Sequence, residues 1–166
     1  MSYIWPEHIE ARSPVQVSVS NLEILISLFE KNHSLIKKFG MQGMALLAID
    51  PIYHEFQIKV SELQRVDLSL LDSDEDRFVF WCNIYNTLAL HSYISEHKNI
   101  PKGLSELNCM GFLSGHKYNI SGLSFSLYQI DHAIIRAPLH YPDVMFASSV
   151  SNSPSLLCLS FPASEC

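Results

Sequence analysis

Apolar residues in the first third of the chain recur at intervals of three and four. Leu22, Leu25, Ile26 and Phe29 form one stripe, and Ser20-Asn21-Leu22-Glu23 ahead of it has the spacing of a capping box. The pattern predicts a helix over residues 20–39 that closes on Lys37-Lys38 before Gly40, with Pro6 and Pro14 leaving residues 1–19 irregular. Asp50-Pro51 suits the start of a second helix, where proline is tolerated in the first turn, and Phe56, Val60 and Leu63 carry it to about residue 65. Ser73 followed by Asp74, Glu75 and Asp76 offers an N-cap and an acidic first turn, predicting a third helix over 74–95. From Phe78 to Tyr93 this segment is apolar nearly all round, the pattern of a central, buried helix.

After residue 98 the helical rhythm stops. Pro101, Gly103, Gly111 and Gly115 make Lys98–Gly115 read as a loop. The period then becomes two: Tyr118 and Ile120, a Ser121-Gly122 turn, then Leu123, Phe125 and Leu127 predict a hairpin. Ser126 to Gln129 is another capping-box spacing, so a short helix comes next and ends at Pro138. With a further strand over 143–150, the expected fold is α+β: a helical domain with a central buried helix and a small antiparallel sheet. Expected boundaries are an N-terminal helical segment over 1–50, a main domain over 51–157 and an atypical tail over 158–166. The apolar run Leu156–Phe161 is an unusual way to finish a domain that is rich in serine from Ser148 to Ser155.

Composition narrows the classes. The 166 residues suit one domain, and 48% hydrophobic against 17% charged residues leaves ample material for a core. A formal charge of -6 with dispersed lysines and arginines supplies no basic stripe for phosphates, so nucleic acid is not an expected partner. No stretch reaches about 18 apolar residues without polar interruption, so no transmembrane segment is expected. Cys82, Cys109, Cys158 and Cys166 lack C-x-x-C spacing, and the N-terminus lacks a basic, then apolar, leader. A cytoplasmic location with reduced thiols is the expectation. His91 and His97 are six apart and His132 and His140 eight apart, so neither a metal nor a cofactor is expected.

Two clusters carry candidate chemistry. In Phe80-Trp81-Cys82-Asn83-Ile84-Tyr85-Asn86, the two amides lie about 60° apart on a helix and can face one partner. Buried without partners they would cost about 1–3 kcal/mol each, so they tie down irregular backbone or orient a ligand or catalytic group. On that reading Asn86→Leu lowers stability. In the second cluster His132 comes directly after Asp131 and shares a helical face with Arg136. An amide-held His132 is a candidate general base, while an anchoring role through hydrogen bonds and an ion pair is the structural alternative.

Phe56–Tyr141 resembles the uncharacterised domain-of-unknown-function family 547. The resemblance rests on Glu62–Leu68, Phe80–Asn86, Tyr118–Gly122 and Ser126–Arg136, in that order. It implies structural roles for Trp81, Tyr85, Tyr118, Gly122, Asp131 and Arg136 beside the candidate site His132, Asn83 and Asn86. Relatives carry a Cys- and Gly-containing segment where this chain has Val150-Ser151, and they continue further, so the chain resembles a C-terminally shortened member. Two functions are therefore expected from different classes. One is a non-catalytic protein-interaction or scaffolding module with an unidentified protein partner. The other is a papain- or transglutaminase-like thiol hydrolase, with His132 as base and Asn83 or Asn86 as orienter, whose nucleophile segment is degenerate or lost.

Overall fold

The first helix begins ahead of its apolar stripe. Ser13 accepts from the Gln16 amide at 3.2 Å and Gln16 returns the bond to the Ser13 amide at 3.3 Å, a capping box with Pro14 at the first helical position. Pro14 thus opens a helix instead of breaking one, because first-turn amides have no partner to lose. The computed structural model describes residues 12–96 and 106–136. In it α1 spans Pro14–Lys31, and Ser20 lies inside that helix with its hydroxyl donating to the Val17 carbonyl. The helix expected over 20–39 is accordingly two, α1 and a short α2 (His33–Phe39), separated at Asn32.

Gly40, at φ 54, joins α2 to α3 (Met41–Leu47). A Cβ on Gly43 would stand 3.0 Å from the Ile36 Cα, so glycine there lets α3 lie against α2. Asp50 caps α4 (Pro51–Lys59) through the Ile52 amide at 2.9 Å, and two 3-10 turns come after it at Val60–Arg65 and Leu68–Leu70. α5 spans Asp74–Ser95 with Ser73 as its N-cap. Part of the loop expected over 98–115 is helical: α6 occupies Glu106–Gly115, and Phe112 and Leu113 pack on the core. Their apolar side chains outweigh the glycines that suggested a loop, since packing routinely overrides propensity.

The hairpin is antiparallel, β1 (Lys117–Ile120) against β2 (Leu123–Ser126), with Ile120 opposite Leu123. Ser121 at φ 52 and Gly122 at φ 83 form its two-residue turn, which needs positive φ at both central positions. Ser126 and Gln129 make a second capping box that starts α7 (Leu127–Gln129), continuing into a π-helical turn at Ile130–Ile135. The architecture is α+β, mostly helical with one small antiparallel sheet. The strand expected over 143–150 and the tail over 158–166 lie outside the described residues.

Two apolar clusters meet along α5. Trp81, Ile84 and Leu88 pack with Val17, Leu63, Tyr118, Phe125 and Ile130, while Ile94 joins Leu25, Leu28, Tyr53 and Phe56. Helices ahead of residue 51 therefore share a core with α4, α5 and the hairpin. Arg12 forks onto the buried Glu62 carboxylate, with Nε to Oε1 at 3.0 Å and Nη2 against Oε2. The Ser121 amide donates to the Leu63 carbonyl at 3.0 Å, pinning the hairpin turn to the 3-10 turn. α5 is central yet not enclosed, since Phe78, Val79 and Asn86 are exposed on the side facing away from these clusters.

The hairpin turn is open to a direct test. Asparagine tolerates positive φ better than serine, so Ser121→Asn should raise the free energy of unfolding by about 0.5 kcal/mol in urea titration, whereas Gly122→Ala should lower it by about 1–2 kcal/mol. Equal effects of both substitutions would contradict the assigned backbone.

Candidate functional site

α5 sends its two amides in different directions. Asn83 Nδ2 donates to the Ser18 hydroxyl of α1 at 3.3 Å, and that hydroxyl donates onward to the Val15 carbonyl at 2.8 Å. Asn86, three residues on, is exposed. The expectation that both are buried and face one partner is corrected here: the 60° between them is enough for one to enter the α1 interface and the other to leave it. Among the described residues no hydrogen bond joins either amide to His132.

His132 lies on the π-helical turn. Its ring stacks on Tyr128 with centroids 4.2 Å apart and planes at 13°. Nδ1 is 3.2 Å from the Tyr128 carbonyl and 3.5 Å from Asp131 Oδ2. A carbonyl only accepts, so Nδ1 carries a proton in this contact, and Nε2 holds a lone pair only when the ring is neutral. Asp131 also holds Arg136, with Oδ1 to Nε at 2.8 Å. Tyr85 projects from α5 toward this ion pair: burial, then the Asp131 carboxylate, push its phenol up, and the Arg136 charge opposes them. Tyr85, Asp131, His132 and Arg136 thus form one polar group on a flank of α5.

Other motif residues lie in the core, in the hairpin turn or along α5. Trp81 is fully buried, edge-on to Phe80 and tilted on Phe125, and its Nε1 has no hydrogen-bond partner among the described residues. Gly122 supplies the hairpin turn. Cys82 is half-buried on α5, and burial raises its thiol pKa, the opposite of what a nucleophile needs. No group of three His, Cys, Asp or Glu among the described residues converges as a metal site.

Two polar features were not singled out from the sequence. Asn21 is fully buried in α1, and neither of its amide atoms has a partner among the described residues. Its spacing from Val17, Ser18, Leu25 and Leu28 marks it as part of the inward stripe once the helix is known to start at Pro14 and not at Ser20. The second is His91, whose Nδ1 lies 2.8 Å from the buried Tyr118 hydroxyl. The imidazole stands edge-on to Tyr53 and Phe56, at 5.7 and 5.1 Å between centroids. Burial first, and then the neighbouring His116, lower the His91 pKa to about 4, while burial pushes Tyr118 well up. His116 in turn directs Nδ1 to the Phe112 carbonyl and Nε2 toward Glu96 at 3.8 Å.

These features define a helical domain whose amide-bearing helix supports a hairpin and a histidine-bearing turn. Residues 68–162 match the family described as Protein of unknown function, DUF547, and the chain belongs to that family. The matched stretch takes in α5, the hairpin and the π-helical turn. No curated protein and no solved structure matches the chain.

The buried imidazole and the divided amides each have a measurable consequence. Unfolded His91 titrates near its ordinary 6.5, but folded His91 stays neutral down to about 4. Its contribution is complete above pH 6.5 and is lost as pH falls through that window, by up to about 3 kcal/mol. His91→Phe should flatten that slope in melting experiments between pH 7 and 4.5. Separately, Asn83→Ala should cost about 1 kcal/mol through the Ser18 bond, while Asn86→Leu should stay within about 0.5 kcal/mol of the parent. A large loss for Asn86→Leu would place that amide elsewhere.

Proposed function

We propose that this domain is a non-catalytic protein-interaction module, working in the cytoplasm where Cys82 stays reduced. The observation that carries the reading is the outer face of α5. Phe78 and Val79 remain 45% and 40% exposed on the longest helix of the described fold, two turns ahead of the exposed Asn86. An ordinary solvent-facing helix surface carries charges at such positions, and adjacent exposed apolar residues are the mark of a contact surface. No helix among the described residues is long and apolar enough to cross a membrane. The cover proposed for this face is another protein.

The thiol-hydrolase alternative draws on His132. A carbonyl and a carboxylate at Nδ1 would, in the neutral ring, leave Nε2 to act as a base. Against it, Asn83 donates to Ser18 and makes no hydrogen bond to that imidazole, and Cys82 has a raised pKa. The interaction reading therefore ranks first.

A thiol-reactive chloroacetamide probe separates the two. An interaction module should label slowly, with a rate that rises with pH toward the ordinary thiol range and is unchanged in His132→Ala. Fast labelling of one cysteine at neutral pH, abolished by His132→Ala, would overturn the proposal in favour of the hydrolase.

A further inference from the structure

The proposed contact face has a charge pattern, and the pattern names a partner chemistry. At 100° per residue, Glu75, Phe78, Val79, Cys82 and Asn86 fall within about 60° of one line along α5, a strip of roughly 16 Å or three turns. Glu75 is one turn ahead of both Phe78 and Val79, and Asp76 is one turn ahead of Val79. Asp72 is exposed just ahead of the helix. Arg77, in the same turn, is already paired: its Nη1 lies 2.6 Å from Asp74 Oδ1, and Nη2 reaches the Asp72 carbonyl at 3.3 Å. No other lysine or arginine occurs between Arg65 and Lys98. The far end of α5 is covered differently, because Tyr93 packs on Phe112 of α6 with ring centroids 5.5 Å apart. The open strip therefore runs from an acidic rim, across two apolar side chains, to a polar end at Asn86.

Building on the interaction reading, we propose that the occupant of this strip is a basic amphipathic helix of about three turns from a partner protein. Its aliphatic side chains would cover Phe78 and Val79, and lysines or arginines at one end would meet Asp72, Glu75 and Asp76. A strip three turns long fits a helix laid along it better than it fits an extended chain, since helical anchors at i, i+3, i+4 and i+7 match the spacing of the residues beneath. The excess of carboxylates over cations disfavours an acidic partner and steers a basic one, and salt weakens that preference. Some of those acids also serve the helix N-terminus, but Glu75 and Asp72 are exposed and available to both.

The test uses the full chain and two designed fourteen-residue peptides with the same leucine face, one with lysines and one with glutamates at the remaining positions. In fluorescence anisotropy at 50 mM salt the lysine peptide should bind at least 10-fold more tightly than the glutamate peptide, with affinity falling as salt rises. Phe78→Ser/Val79→Ser, which leaves charge unchanged and alters only exposed positions, should weaken the lysine peptide at least 10-fold. Asp72→Lys/Glu75→Lys should reverse the peptide preference. Thermal melts of each variant establish that it is folded, and amide chemical shifts along α5 report the contact directly. Lysine-peptide binding that ignores Phe78→Ser/Val79→Ser would be adventitious charge attraction and would overturn the proposal. Equal binding of both peptides, lost together in that double variant, would overturn the basic partner while leaving the contact face intact. Binding of neither peptide would overturn the helix as occupant, whereas the interaction reading itself stands or falls on the labelling experiment.

Discussion

The packing of α1 along α5 is the contact on which the rest depends. α5 buries one side and divides it between two clusters: Trp81, Ile84 and Leu88 toward the hairpin, and Ile94 toward α3 and α4. α1 spans the same division, giving Val17 to the first cluster and Leu25 and Leu28 to the second. Burial of these side chains supplies the energy but little direction, since aliphatic surfaces tolerate sliding. The Asn83–Ser18 hydrogen bond is the directional element, fixing where along α1 the helix sits. A polar contact that sets register at some expense of stability is a known use of amides, and this one is part-buried.

A second joint couples the clusters. His91 and Tyr118 bond across the gap between α5 and β1, and Tyr53 and Phe56 of α4 close around the imidazole. Three elements far apart in sequence are thus held by one ring that must stay neutral to remain there. Glu62 does similar work at the opposite edge, where Arg12 forks onto its carboxylate while the adjacent Leu63 carbonyl receives the hairpin turn. The hairpin is small, and an isolated two-stranded ribbon is marginal in water. It is stable here because Tyr118, Ile120 and Phe125 enter the α5 cluster and because its turn is tied to a 3-10 segment.

Much of this architecture is legible in the sequence because local chemistry and global packing agree. Ser73 with three acids, Asp50 with Pro51, and Ser126 with Gln129 each announce a helix start that the structure contains. Each misplacement has one cause. Ser20 and Ser13 both have a capping spacing, and Pro14 favours Ser13 because proline suits the first helical turn as well as it suits a break. α6 is hidden because Gly111 and Gly115 look like breaks until Phe112 and Leu113 are seen packed on the core. The candidate site is less legible than the fold. A pair of asparagines three apart defines an angle but not which side of a helix is buried, and that depends on α1 bringing Ser18 to Asn83. The His91–Tyr118 bond spans 27 residues, and nothing in the local pattern of either segment points to the other.

The division of α5 into a committed face and an open one bears on how the family motif is to be understood. Within seven residues, Phe80, Trp81 and Ile84 serve the core, Asn83 serves the α1 interface, Tyr85 meets the Asp131–Arg136 pair, and Asn86 reaches solvent. The motif thus distributes its polar groups around the helix. Distribution of that kind grips the helix on three sides and leaves the fourth open among the described residues. Asp131 illustrates the same economy: one carboxylate lies beside His132, pairs with Arg136 and acts on the Tyr85 phenol through space, while Ile130 and Ile134 of the same turn pack with the core residues of α5. The described elements leave Phe78 and Val79 uncovered, and that open face is the one the proposed interaction would use.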